Sequence, residues 1–225
     1  MEYKAVIFDL FETLITEWGH KKYTKNEMCA DLNIPREEFD LYWDEKEKDR
    51  YIGKMSFTDS IIYVCEKCGK QVDDLTLSGI IDKRLKTKSA CFESLNPDVV
   101  PLLKELKAKG LKLGILSNCS SEEVTTIKQS KLYPYFDQIT LSYEVGMQKP
   151  DICIYQETAR LLGVDTVECI YVGDGGSNEL PGARAAGMKA IQAKWYTNQH
   201  PSKRDSIDGF LTAEDPLSIL QYIEE

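Results

Sequence analysis

The chain has 225 residues and a mass of 25.6 kDa, with 42% hydrophobic and 29% charged residues. That suffices for one large domain, or a core domain with a modest insertion, and is too apolar for disorder. Its 28 Lys and Arg face 37 Asp and Glu, a net charge of −9; this excludes the broad basic face of a nucleic-acid binder but allows a local cationic pocket for a small anion.

The chain opens MEYKAVIFDLFETLI, without a basic-then-apolar leader. No apolar run reaches ~18 residues, so a cytoplasmic protein without membrane spans is expected. Residues 4–8 (KAVIF) form a short apolar run rich in branched side chains, the mark of a strand buried on both faces. Residues 17–92 carry no such run and read as consecutive helices over 20–31, 36–51, 57–68 and 73–88, an all-helical insertion. In the second, Phe39, Tyr42, Trp43 and Lys46 line one face, and the charged stretch DEKEKDR reads as its solvated side. Cys65 and Cys68 form a CxxC without a second pair or a His at zinc-finger spacing. They and the other five cysteines read as reduced thiols.

After the insertion, strands and helices alternate. Asn96–Pro97 starts a helix with Val99, Leu102, Leu103 and Leu106 as its stripe and Gly110 as its stop. A strand follows at 111–116 (LKLGIL), then a capping box at Ser120 and Glu123. Further strands are expected at 138–141, 169–172 and 189–193, with a weaker one at 209–211. Pro150 opens a helix with Ile154, Thr158, Leu161 and Leu162 inward and Gly163 as stop. Alternation of this kind implies an α/β fold, a Rossmann-like parallel sheet covered by helices on both faces. The core would comprise residues 1–16 and 93–225, and the helical insertion residues 17–92.

Open parallel sheets bind ligands beyond the carboxyl ends of their strands, near a topological switch point. The residues leaving the apolar runs are therefore the candidates: Asp9 in FDLFETL, Ser117 and Asn118 in LSN, Lys149 in QKPD and Asp174 in GDGGSNEL. Each alone is as well explained by a turn, a cap or the surface. Together, at successive strand exits, they bring two carboxylates, a hydroxyl and an ammonium to one sheet edge.

In that order, these segments resemble the four motifs of the haloacid dehalogenase-like hydrolase superfamily. The resemblance places Asp9 at the nucleophile, with Thr13 in the same motif. It places Ser117 in the second motif, Lys149 in the third, and Asp174 with Glu179 at the acidic pair of the fourth. It covers about two thirds of the chain. Asp9 and Ser117 lie 108 positions apart (9 to 117) and Ser117 and Lys149 only 32 (117 to 149), the spacing of members with a helical cap after the first motif. Such a cap excludes water and selects the substrate.

The implied activity is Mg²⁺-dependent hydrolysis of a small phosphorylated metabolite through an aspartyl phosphate. The chemistry suits the residue types. A carboxylate attacks phosphorus and water later hydrolyses the acyl phosphate, while a divalent cation, a Lys and hydroxyl or amide donors hold the equatorial oxygens. Asp9, Asp174 and the main-chain carbonyl of Phe11 would hold the cation, which favours oxygen ligands. Thr13, Ser117, Asn118 and Lys149 would hold the phosphoryl group, and Glu179 would orient a metal-bound water.

Phe11 is a departure, because the family's phosphatases usually carry there a second Asp that protonates the leaving oxygen. Glu12, or a cap carboxylate such as Asp49, would be a substitute. The same departure suits a 2-haloacid dehalogenase using Asp9, with Arg36 or Arg50 meeting the substrate carboxylate; Asp174 and Glu179 favour the cation instead. A non-catalytic phosphate-binding protein on the same fold is the third reading. His20 and His200 fall in no triad and read as surface residues.

Overall fold

The computed structural model describes residues 2–199 and 206–223; His200 lies outside them. Six strands, β1 (Ala5–Phe8), β2 (Lys112–Ser117), β3 (Gln138–Leu141), β4 (Cys169–Gly173), β5 (Lys189–Ala193) and β6 (Leu211–Ala213), form one parallel sheet. Their order is β3-β2-β1-β4-β5-β6. The chain thus winds one way from β1 to β3 and the other way from β4 to β6, and the switch lies between β1 and β4, which pair Phe8 with Val172. The last strand begins at Leu211, two residues later than its apolar run suggested. No helix among the described residues is long and apolar enough to cross a membrane.

Between β1 and β2 come only helices: α1 (Lys25–Leu32), α2 (Arg36–Glu45), α3 (Glu47–Tyr51), α4 (Phe57–Lys67) and α5 (Asp74–Ala90). The first starts five residues later than expected, because Thr24 and Glu27 form a capping box and Thr24 has extended backbone. The expected helix 36–51 is two helices, broken at Lys46, whose ammonium lies over the Tyr63 ring. These helices carry a hydrophobic cluster of their own around Phe39, Trp43, Phe57, Ile61 and Ile80. Phe39 stacks on Trp43, which meets Phe57 edge-on. Cys65 is buried in that cluster, and all seven cysteines are free thiols.

The remaining helices are α6 (Val99–Ala108), α7 (Ser121–Lys128), α8 (Ser142–Val145), α9 (Ile152–Leu162) and α10 (Glu179–Ala185). Strand alternation decides which layer each contacts. Val6 and Phe8 face α6 and α7, whereas Ala5 and Ile7 face α9 and α10. Helix α6 begins at Val99 rather than at Pro97, since the Asn96 side chain accepts from the Asp98 N–H and holds a turn first. In α9, Leu161 is exposed rather than inward, and Tyr155 and Ala159 take the core positions.

The insertion meets the sheet region along two seams. Helix α5 presents Arg84 and Lys88 to Glu122 and Glu123 of α7. At the other seam Gly53, with φ +71°, lies against the Tyr143 carbonyl so closely that a Cβ would fall 2.2 Å from that oxygen, and only glycine fits.

Candidate active site

Asp9 is the first residue beyond β1, and its N–H donates to the Val172 carbonyl at 2.8 Å, which fixes it at the switch between β1 and β4. Lys149 reaches it from the loop after α8. Its ammonium lies 2.5 Å from Asp9 Oδ1, 2.5 Å from Glu179 Oε2 and 3.1 Å from the Tyr171 hydroxyl. The Asn118 side chain clamps the Lys149 backbone from both sides: Oδ1 accepts its N–H at 2.8 Å and Nδ2 donates to its carbonyl at 3.0 Å. Asp174 leaves β4, and its Oδ1 accepts from the Gly176 N–H. Glu179 opens α10 and takes the Gly175 N–H on Oε1. Gly173 makes room for that carboxylate, since a Cβ there would fall 2.2 Å from Glu179 Oε1.

Asp9, Phe11, Asn118, Lys149, Asp174 and Glu179 line one cavity of about 160 Å³, with Glu12, Ser177 and Tyr51 also on its wall. Thr13 is fully buried beside it and donates to Asp9 Oδ2 at 3.3 Å. Ser117 is buried at the end of β2, where its hydroxyl makes a long contact, 3.4 Å, to the Asn118 carbonyl. Glu12 has left-handed backbone, φ 59°. Its carboxylate accepts from Thr16 and from the Glu17 N–H and so is committed away from Asp9. Ser177 and Asn178 are likewise left-handed, so unfavourable backbone collects around this cavity. Asp49 contacts Lys46 at 3.8 Å and Arg36 contacts Asp40 at 2.6 Å, both on the insertion's own surface. His20 lies near Glu17 and Arg84 in a separate groove.

Charge dominates this site. One carboxylate oxygen from each of Asp9, Asp174 and Glu179 lies within 4.8 Å of the other two, and all three residues are buried. Burial, then Glu179, pushes the Asp9 carboxyl up to about 7 against the pull of Lys149. Burial works against the Lys149 ammonium, yet Asp9 and Glu179 hold its pKa above the ordinary value. Three buried carboxylates with one ammonium between two of them leave a net negative, all-oxygen site, which fits a hard divalent cation.

Sequence patterning missed the tyrosines. Tyr171 donates to Glu179 Oε2 at 2.7 Å, and Tyr155 donates to the Glu179 carbonyl at 2.9 Å. Burial pushes the Tyr171 hydroxyl well above its usual pKa, so it stays a donor. Trp195, just past β5, donates to the Thr13 carbonyl at 2.7 Å. Each reads locally as a core aromatic; only the presence of a polar tip marks it.

A family model described as haloacid dehalogenase-like hydrolase matches residues 3–187. A glyceraldehyde 3-phosphate phosphatase from Methanopyrus kandleri is 26% identical over 99% of this chain and 97% of its own. One from Methanocaldococcus jannaschii is 30% identical over 84% of each. Among solved structures, a 2-haloacid dehalogenase from Pseudomonas syringae superposes with a TM-score of 0.70 at 21% identity, covering 99% of this chain and 98% of that one, and so shares the fold.

Proposed function

We propose that this chain, which belongs to the haloacid dehalogenase-like hydrolases, is a Mg²⁺-dependent phosphohydrolase of small phosphorylated metabolites. The observation that carries this reading is the buried cluster of Asp9, Asp174 and Glu179 around the Lys149 ammonium. Its excess negative charge suits a cation, and cation plus ammonium suit a phosphoryl group. The phosphatase relatives support the same activity and make glyceraldehyde 3-phosphate the first compound to assay. The free thiols suit a reducing cytoplasm.

In this reading Asp9 attacks phosphorus. The Asp9 oxygen–phosphorus bond forms as the bond to the leaving oxygen breaks, and water then cleaves the acyl phosphate to return Asp9 and inorganic phosphate. Lys149, already against Asp9, neutralises the transferring oxygens; Asn118 holds it there by its backbone. Thr13 orients the other Asp9 oxygen and, with Ser117, offers a hydroxyl near the phosphoryl group. Tyr171 and Glu179 keep Lys149 charged and in place. Mg²⁺, held by Asp9, Asp174 and the Phe11 carbonyl, would offset the charge gathered on the phosphoryl oxygens. The helices of residues 17–92 act as a cap that covers the site.

Asp9→Asn tests the nucleophile. It is isosteric, so the fold should persist while hydrolysis of p-nitrophenyl phosphate falls by at least ~10³-fold. Undiminished turnover in the purified variant would remove Asp9 from the mechanism. Phe11 favours one second reading, 2-haloacid hydrolysis by the same Asp9, because halide leaves without a proton. Chelator separates the two: it should abolish phosphate hydrolysis, whereas halide release that persists in its presence would establish the dehalogenase.

A further inference from the structure

Arg50, at the end of α3, is only 5% exposed. Among the described residues its guanidinium meets no carboxylate at ion-pair distance. Its contacts are the Trp43 ring, 3.9 Å from Cζ to the centroid, and the Trp43 carbonyl, which accepts from Nη1 at 2.6 Å. Most of its five N–H donors therefore have no protein partner. The neighbouring cations are compensated. Arg84 pairs with Glu122 and Glu123, Lys88 with Glu17 and Glu123, and Lys25 with Asp40 and Asp44. A buried charge without a counter-ion is costly and is relieved when an anion arrives. Burial accordingly draws the Arg50 pKa below its ordinary value.

The surroundings show where that anion would lie. Arg50 lines a cleft of about 200 Å³ between the cap and α7, shared with Trp43, Glu47, Arg84, Ser120 and Glu122. Tyr51 lines both this cleft and the cavity of Asp9, so the two spaces adjoin at that residue. On the α7 wall, Glu122 Oε2 is buried without a hydrogen bond. Its other oxygen takes Arg84 and the Ser120 hydroxyl. A guanidinium fork short of acceptors thus faces this small space.

We propose that the cleft receives the leaving-group end of the substrate and that Arg50 binds a second anionic group there. The preferred substrates are then small phosphates that also carry a carboxylate or another phosphate, either of which accepts the guanidinium bidentately. The inference rests on the phosphohydrolase reading and adds the chemistry of the leaving group to it. The two spaces, about 160 and 200 Å³, limit that group to a few carbons.

Paired substrates test it. 3-Phosphoglycerate and glycerol 3-phosphate share a three-carbon skeleton and differ in a carboxylate against a hydroxymethyl group; 1,3-propanediol bisphosphate against propyl phosphate asks the same of a second phosphate. The wild type should favour the member with the second anionic group in at least one pair by ~10-fold or more in kcat/KM, and which pair shows it identifies the anion. Arg50→Gln should bring that ratio close to one, and Arg50→Lys should keep part of it. The ratio is internal to each protein, so partial loss of folded enzyme does not distort it, and if Arg50→Gln does not fold, Arg50→Lys and the wild-type ratios decide. Ratios near one in a wild type that hydrolyses p-nitrophenyl phosphate, or a preference that survives Arg50→Gln, would overturn the role of Arg50 alone. Failure to hydrolyse any phosphate would instead overturn the phosphohydrolase reading, and the inference with it.

Discussion

Phe11 stands two residues after Asp9 and contributes a ring where proton transfer to the leaving oxygen would need an acid. Lys88 lies over that ring, 4.4 Å from Nζ to the centroid. It is tied by Glu17 at 2.5 Å and Glu123 at 2.6 Å. Burial opposes its charge, but Glu123 and Glu17 together raise its pKa, so it supplies positive field without releasing a proton near neutral pH. Glu12 is bonded to Thr16 and Glu17. The rate should therefore fall steeply as the leaving-group pKa rises across a series of aryl and alkyl phosphates. General-acid assistance typically contributes ~10²–10⁴-fold, so Phe11→Asp should flatten that slope, helping alkyl esters far more than aryl ones. A shallow slope in the wild type would show that another group already provides the proton. At this scale the sequence was informative about residue types at strand exits: Asp9, Lys149 and Asp174 do meet, together with Glu179, which the family resemblance supplied. It was silent on Tyr171, whose role depends on a hydroxyl reaching Glu179 and Lys149 from two other elements.

The seam between α5 and α7 shows how elements are joined. Ser120 and Glu123 form the expected capping box at the start of α7, with the Ser120 N–H donating to Glu123 Oε2 at 3.0 Å. The same Glu123 carboxylate receives Lys88 and Arg84 from the insertion. Burial disfavours its charge, yet Lys88 and Arg84 prevail and hold its pKa below the ordinary 4.5. Its contribution to stability is thus complete above the unfolded value and is lost as pH falls through the lower folded one. Glu123→Gln, which leaves Lys88 undercompensated, should cost about 3 kcal/mol near pH 7. In chemical denaturation the difference between variant and wild type should narrow below about pH 4.5, the ordinary carboxyl range. Glu122 runs the other way, its pKa raised by burial and by Glu123, so the difference between variant and parent reports Glu123 together with its effect on Glu122. A difference that stayed constant with pH would mean that Glu123 acts through packing.

For the whole molecule, the site opposes stability. Asp9, Asp174 and Glu179 crowd buried negative charge at the sheet edge, and Lys149 is in ion-pair contact with Asp9 and Glu179. A cation that binds the folded chain should relieve this by mass action, adding about 2.7 kcal/mol at 100 times its Kd. For a protein of this size that corresponds to a rise of roughly 5–10 °C in Tm. Asp174→Ala should abolish most of the Mg²⁺ response while leaving the metal-free protein as stable as the parent or more so. Calorimetry with and without Mg²⁺ checks both, and a response unchanged in Asp174→Ala would place the cation elsewhere.

The sequence by itself determined the parallel α/β core, because strands buried on both faces read as short apolar runs and helices as periodic stripes, patterns set within a few residues. It also determined the helical character of the insertion and which side chains leave the strand ends. Helix starts at Lys25 and Val99, and the break at Lys46, escaped it because a single side-chain bond or turn decides them. Only the tertiary structure decided the pairings. Lys149 joins Asp9 across 140 positions and Glu179 across 30, and nothing local in the chain encodes that both carboxylates face one ammonium. The two arginines make the same point. Arg36 and Arg50 look alike on charged helices, yet Arg36 is exposed beside Asp40 and Arg50 is buried against Trp43 at the cleft beside α7. The difference is one of solvent and counter-ions, which depend on the elements that close over a side chain and not on its neighbours in sequence.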